Sequence, residues 1–287
     1  MNGVRHLQSF SLKDVRYWLL GIAAGLEIIF LTLVWKADDI GHLGMSILLL
    51  LAAGTLVWEK HHDLNFESGI LPSLLGAGLI SWVLWQSTNL IDNYTLRLLS
   101  FTSALGVSLL ASGFKGLRQY WQELVILFFL GVPSVIAFHL FDISSLTAEF
   151  GASLLWYSGF DVSVQGIDIF LPEGGVKVVY RCSGIETINY LLAISVTTLV
   201  MFPISGIKRF FVPILAILLG FFVNGIRVAL LAILAISNRD AFHSLHGGTA
   251  SYFFAMIGIL VFGTFYWFLL QQEENQSADE SEEADNA

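Results

Sequence analysis

The chain has 287 residues, 55% of them hydrophobic and only 13% charged, at a mean hydropathy of +0.72. A soluble domain carries about a quarter charged residues, so this balance excludes an ordinary soluble protein and points to a multi-span membrane protein. The formal charge of −9 carries no nucleic-acid footprint. Seven of the acids (Glu273, Glu274, Asp279, Glu280, Glu282, Glu283 and Asp285) crowd the last stretch, and the remainder is nearly neutral.

The N-terminus carries Arg5, Lys13 and Arg16 ahead of a long apolar run, which reads as a retained first span and not a cleaved signal peptide. A helix crossing the hydrocarbon layer needs about 20 mostly apolar residues. Eight segments qualify, at 17–35, 43–58, 69–86, 96–113, 121–141, 185–203, 209–236 and 250–270. They are expected to form one membrane domain over 1–270, followed by a disordered, solvated acidic tail over 271–287. An even count places both termini on one side. With the N-terminus inside, Arg5, Lys13, Arg16, Lys60, Lys115, Arg118, Lys208 and Arg209 are cytoplasmic, against Lys36, Arg97 and Arg239 in short outer loops. That bias favours cytoplasmic termini.

The one long outer segment, roughly 142–184, has structure of its own. Ser144 to Ser158 reads as an amphipathic helix, with Trp156 and Tyr157 suited to the interface. Val162-Ser-Val-Gln-Gly-Ile-Asp-Ile-Phe-Leu171 and Val176-Lys-Val-Val-Tyr180 alternate like strands around the turn signal Pro172-Glu-Gly-Gly175. A β-hairpin over the outer helix ends is expected, leading to Cys182. The fold class is therefore an all-α polytopic membrane protein of about eight transmembrane helices, with a short β-hairpin and an amphipathic helix before that cysteine.

Cys182 is the chain's one cysteine. Beside Arg181 and at a helix start, it stands where positive charge and a helix N-terminus lower a thiol's pKa. The bland alternative is a small apolar filler. Arg227 lies 17 residues after Phe210, or roughly 26 Å up the seventh span at 1.5 Å per residue, close to the outer boundary. An arginine inside a span is costly and usually pairs with something functional, unless it snorkels to headgroups. Asn224 is a candidate partner. His246 lies four residues before the eighth span, with His243 as its rival.

Sulfur, guanidinium and imidazole thus reach similar depth. In a thiol mechanism the cysteine attacks, a histidine moves the proton and an arginine stabilises developing charge. The outer hairpin offers strand addition to an extended peptide. A metal site from Cys182, His243 and His246 is disfavoured, because no further acidic or cysteine ligand has a suitable spacing; neither metal nor cofactor is expected. Glu186 either caps the helix start or approaches Arg227. Glu27, a carboxylate inside the first span, is expected to face the bundle.

Three stretches carry a resemblance. Arg181-Cys-Ser-Gly-Ile185, Asn224-Gly-Ile-Arg-Val228 and His246-Gly-Gly-Thr-Ala-Ser251 resemble the signature regions of the exosortase/archaeosortase family, membrane cysteine transpeptidases of about eight spans. Gly166-Ile-Asp-Ile-Phe-Leu-Pro-Glu-Gly-Gly175 looks like that family's segment ahead of the cysteine, and Phe221 to Val228 looks most like its cyanobacterial branch, the cyanoexosortases. The resemblance covers about 145–270. It implies a nucleophile at Cys182, an arginine at Arg227 and a histidine at His246. Arg181, Ser183, Glu186, Asn224 and His243 stand as supporting or substrate-binding candidates. Where the family often has a further glycine after the histidine, this chain has Ala250, which leaves His243 in contention.

The resemblance further implies partners: exported proteins ending in a Pro-Glu-Pro-type motif, a transmembrane helix and a basic cluster, handed from a Cys182 thioester to a cell-surface glycan or lipid. It implies a bacterial plasma membrane as the location, with the active site on the outer face and membrane lipid as the surroundings. Two other classes compete. One is a small-solute transporter with Arg227 as its anion-binding residue, disfavoured by the absence of a visible repeat. The other is a scaffold that holds a partner's membrane helix and tolerates loss of the thiol.

Overall fold

The computed structural model describes residues 15–89, 92–247 and 252–285, with side chains as far as 276. Arg5 and Lys13, used in the topology count, lie outside the described residues, as does the Gly248–Ser251 part of the histidine motif. The expected architecture is present. Helices α1 (Val15–Lys36), α2 (Ile40–Lys60), α3 (Ile70–Ser87), α4 (Asn93–Gly116) and α5 (Trp121–Leu140) precede α6 (Ser144–Tyr157) and a small sheet; α7 (Ile185–Met201), α8 (Lys208–Ser237), α9 (Arg239–Gly247) and α10 (Tyr252–Asp285) follow. Six segments are long and apolar enough to cross a membrane; one of them, Asn93–Leu140, contains α4, a 3-10 turn at Leu117–Tyr120 and α5. With the shorter apolar α7, this gives eight traverses among the described residues.

Polar contacts sort the helix ends into two groups. At one end Arg97, in the first turn of α4, meets Asp39 at the start of α2 (3.0 Å), Ser134 of α5 (3.4 Å) and Glu186 in the first turn of α7. At the other end Lys60 closes α2 against Glu123 at the start of α5 (2.8 Å), and Lys208 at the start of α8 meets Glu273 of α10 (3.3 Å). Helices α2, α4 and α7 therefore start at one end of the bundle, and α5 and α8 start at the other. The main core between them is apolar, with Phe30, Leu49, Leu99, Ile126, Leu191 and Phe262 almost fully enclosed. Close approach depends on small residues, as is common between membrane helices. Gly220 of α8 lies against the backbone of Ile188 on α7, and a Cβ at Gly131 of α5 would land on the Arg97 carbonyl.

Two expectations change. The first strand is broken: Gly166 (φ +62°) turns the chain, so the expected hairpin is a three-stranded antiparallel meander of β1 (Ser163–Gln165), β2 (Asp168–Leu171) and β3 (Gly174–Lys177). Glycine reaches positive φ without the Cβ clash, which allows a two-residue turn there. Arg97, counted in a loop, sits inside α4 with its side chain 13% exposed, held by the carboxylates above. Helix α10 runs from Tyr252 to Asp285. Glutamate and alanine favour helix, and Glu273 anchors it by accepting from the Ser205 hydroxyl at 2.7 Å.

Candidate active site

A second, smaller core forms beside the main one. Ala148, Ala152 and Leu155 on α6, Ile169 and Leu171 on β2, and Val228, Ala229 and Ala232 on α8 enclose Cys182, which is 8% exposed. The α6 stripe that faces this core follows helical spacing, and the opposite face leaves Trp156 and Tyr157 exposed. Gly225 on α8 lies under the Phe150 ring, so α6 rides directly on the helix that carries Asn224 and Arg227.

The segment bearing the thiol is strapped on two sides. The Thr147 hydroxyl of α6 donates to the Ser183 carbonyl at 2.7 Å, and the Asn224 amide of α8 donates to the Cys182 carbonyl at 3.0 Å. Gly184 (φ +95°) then reverses the chain into α7. A Cβ there would stand 2.6 Å from the Asn224 amide nitrogen, so glycine serves both the left-handed backbone and the strap. Ser183 is fully buried, and its hydroxyl accepts the Ile185 N–H at 3.5 Å in the first turn of α7.

Helix α9 brings the imidazole. His246 Nε2 stands 3.4 Å from Cys182 Sγ. The Phe242 ring, one turn earlier on α9, stacks on His246 with centroids 5.2 Å apart and planes 10° from parallel. Arg227 Nη2 donates to the carbonyls of His246 (3.0 Å) and Leu245 (3.4 Å). Arg227 therefore ties the last turn of α9 to α8, where a cation also complements the negative end of the helix. Its Nε is buried and meets no partner among the described residues.

Of the predicted residues, Cys182, Arg227, His246, Ser183 and Asn224 converge. His243 makes no contact with Cys182 among the described residues: it is exposed on α9, its ring against Phe242. Arg181 is exposed and makes no hydrogen bond or ion pair among the described residues, though its charge reaches the thiol. Glu186 turns from Arg227 to a different partner, pairing with Arg97 and accepting from the Tyr190 hydroxyl at 2.9 Å. Among the described residues no group of three His, Cys, Asp and Glu side chains is placed to hold a metal ion.

The electrostatics also correct an expectation. Burial pushes the Cys182 thiol up, and the opposing pull of Arg227 and then Arg181 does not cancel it. Burial, then the Arg227 charge and that of His243, hold His246 below the ordinary histidine range. Both shifts favour a neutral thiol facing a neutral imidazole, and with the ring proton on Nδ1 the Nε2 atom stands as the acceptor. Alkylation of Cys182 by iodoacetamide should consequently climb about tenfold per pH unit from neutrality past pH 9, as the thiolate fraction does. A rate already flat at neutral pH would indicate a resting ion pair and contradict the assignment.

Sequence reasoning missed Thr147, Phe242 and the Arg97 cluster. The aromatic four residues before His246 was a legible helix-face signal; Thr147 had none.

The family model described as Transmembrane exosortase (Exosortase_EpsH) matches residues 35–263, which include the three converging side chains. Searches of curated proteins and of solved structures each returned no match. The chain belongs to the transmembrane exosortase family and is a multi-pass membrane protein with a sorting-enzyme role.

Proposed function

We propose that the protein is a membrane cysteine transpeptidase that cleaves exported proteins at a C-terminal sorting signal and transfers them to a surface acceptor. The observation that carries this is the 3.4 Å approach of Cys182 Sγ to His246 Nε2 at one end of the bundle. As the sulfur attacks the scissile carbonyl carbon, Nε2 takes the thiol proton and a tetrahedral oxyanion forms. The Arg227 charge and the first turn of α7 both favour negative charge at this position. Collapse breaks the C–N bond, His246 returns the proton to the leaving amine, and a thioester remains on Cys182. An acceptor hydroxyl or amine, deprotonated by the same imidazole, then displaces the thiolate.

The substrate class is an exported chain ending in a Pro-Glu-Pro-type motif, a membrane helix and a basic cluster. A site at a bundle end suits such a signal, whose motif lies just outside its own span. The acceptor is a cell-surface glycan or lipid, and the location is a bacterial plasma membrane with cytoplasmic termini. Lys60, Lys115, Arg118, Lys208 and Arg209 all fall at helix ends opposite Cys182, which supports that orientation. Through one guanidinium nitrogen Arg227 donates to two α9 carbonyls, a tether that suits an ordered active site.

Hydroxylamine capture tests the thioester. Membranes carrying the enzyme and a tagged substrate should yield a substrate hydroxamate at the new C-terminus, and Cys182→Ala membranes should yield none. Processing indifferent to hydroxylamine and to the thiol removes the proposal.

A further inference from the structure

Away from Cys182, α1, α2, α5 and α4 form a ring in which each helix packs on two neighbours. They surround a cavity of about 750 Å³ that reaches the bundle end carrying Lys60. Its walls are mostly apolar, but Glu27 of α1, Ser103 of α4 and Glu123 of α5 line it as well. Glu27 Oε2, Ser103 Oγ and Glu123 Oε1 are sealed from solvent and meet no hydrogen-bonding partner among the described residues. Glu123 is 4% exposed and Ser103 1%. Lys60 neutralises Glu123 from one side at 2.8 Å. Among the described residues no cation pairs with Glu27.

Glu123 lies in the first turn of α5, at the mouth. Glu27 lies twelve residues into α1, roughly 18 Å along it at 1.5 Å per residue. The cavity is therefore a mostly apolar shaft with the Glu27 carboxyl along its length, and Arg16, His61 and His62 line the end that carries Lys60. A buried carboxyl within a span usually faces a partner or a pathway; a cation brought beside it favours its ionised form, which accepts and cannot donate. The complement is a hydrogen-bond-donating cation on an apolar stem. The volume suits a small molecule, for which sites run to about 300–1,000 Å³.

We propose that this cavity binds a primary ammonium carried on an apolar stem, the head donating to Glu27 and the stem lying along the apolar walls. The source is either a free alkylamine or an aminolipid. The site is remote from Cys182 and does not depend on the sorting chemistry.

The test uses the purified full-length protein in nonionic detergent, with thermal unfolding as the readout. Decylamine should raise the midpoint saturably. Decanol, which lacks the charge, and decyltrimethylammonium, which lacks the N–H donors, should need at least about tenfold more for the same shift, because hydrogen bonds to charged groups are the strong ones. Glu27→Gln should weaken decylamine by a similar factor. Gly54→Phe provides the second variant: Gly54 lines the cavity and a Cβ there meets nothing within 4 Å, so the ring obstructs the shaft and leaves the carboxylates in place. No saturable shift with decylamine, equal response to the trimethyl analogue, or wild-type response in Gly54→Phe overturns the proposal. Mass spectrometry of copurifying lipid identifies the source. Phosphatidylethanolamine enriched on wild type and not on Gly54→Phe marks an aminolipid site; decylamine binding without such enrichment marks a free-amine site.

Discussion

Cys182→Ala and Cys182→Ser are each expected to abolish processing of a co-expressed tagged substrate, a loss of at least about a thousandfold of the kind seen when a catalytic nucleophile is removed, at unchanged membrane abundance. The serine variant is the sharper of the two. It keeps the small, buried shape among Ala148, Val228 and Ala232, so packing and the straps from Thr147 and Asn224 persist. What changes is the acidity and nucleophilicity of the attacking atom. A hydroxyl gives up its proton far less readily than a thiol, and an imidazole held below the usual histidine range is a weak base for that task. Immunoblotting for the shortened substrate measures the effect, and normal processing in either variant would remove the protease assignment and favour a scaffold.

Arg227→Lys is expected to lower turnover by about two orders of magnitude, a loss typical of a misplacement near 1 Å. Lysine keeps the charge, so the variant isolates geometry. The guanidinium reaches the Leu245 and His246 carbonyls together from one nitrogen. A lysine side chain is shorter and ends in a compact, strongly hydrated point charge, so it leaves the last turn of α9 less firmly tied to α8. The imidazole then loses its fixed 3.4 Å relation to the sulfur. The fall should appear in kcat for a tagged substrate more than in KM, with iodoacetamide still reaching Cys182. Wild-type turnover in Arg227→Lys would show that tethering α9 is not its role.

The membrane architecture was legible because lipid leaves the chain few choices. Spans must satisfy their own backbone, and apolar length alone exposes them, as the helices from Val15–Lys36 to Lys208–Ser237 illustrate. The outer segment was legible as helix plus strands through its alternation, but one glycine decided the strand count. Gly166 takes a positive φ and splits what reads as a continuous strand.

At the site, residue types and topology brought Cys182, Arg227 and His246 to one level, while burial and partners were beyond reach. The thiol's raised pKa follows from α6 and the sheet closing over Cys182, contacts between stretches distant in sequence. Arg97 reads as a cation at the very start of an apolar run, counted with the loop before it. Its burial depends on Asp39, Ser134 and Glu186 arriving from three other helices, and no local pattern announces such a meeting. The helical run to Asp285 reflects the propensity of glutamate and the anchor that Ser205 and Lys208 give Glu273.

Mapping the acyl-enzyme bears most directly on the couple at the centre of this account. Rapid acid quenching of enzyme and substrate, followed by peptide mass spectrometry, should locate the substrate's N-terminal fragment as a thioester on Cys182. His246→Ala should sharply reduce its formation. An acyl group on any other side chain, or wild-type acylation in His246→Ala, would contradict the pairing of that sulfur with that imidazole.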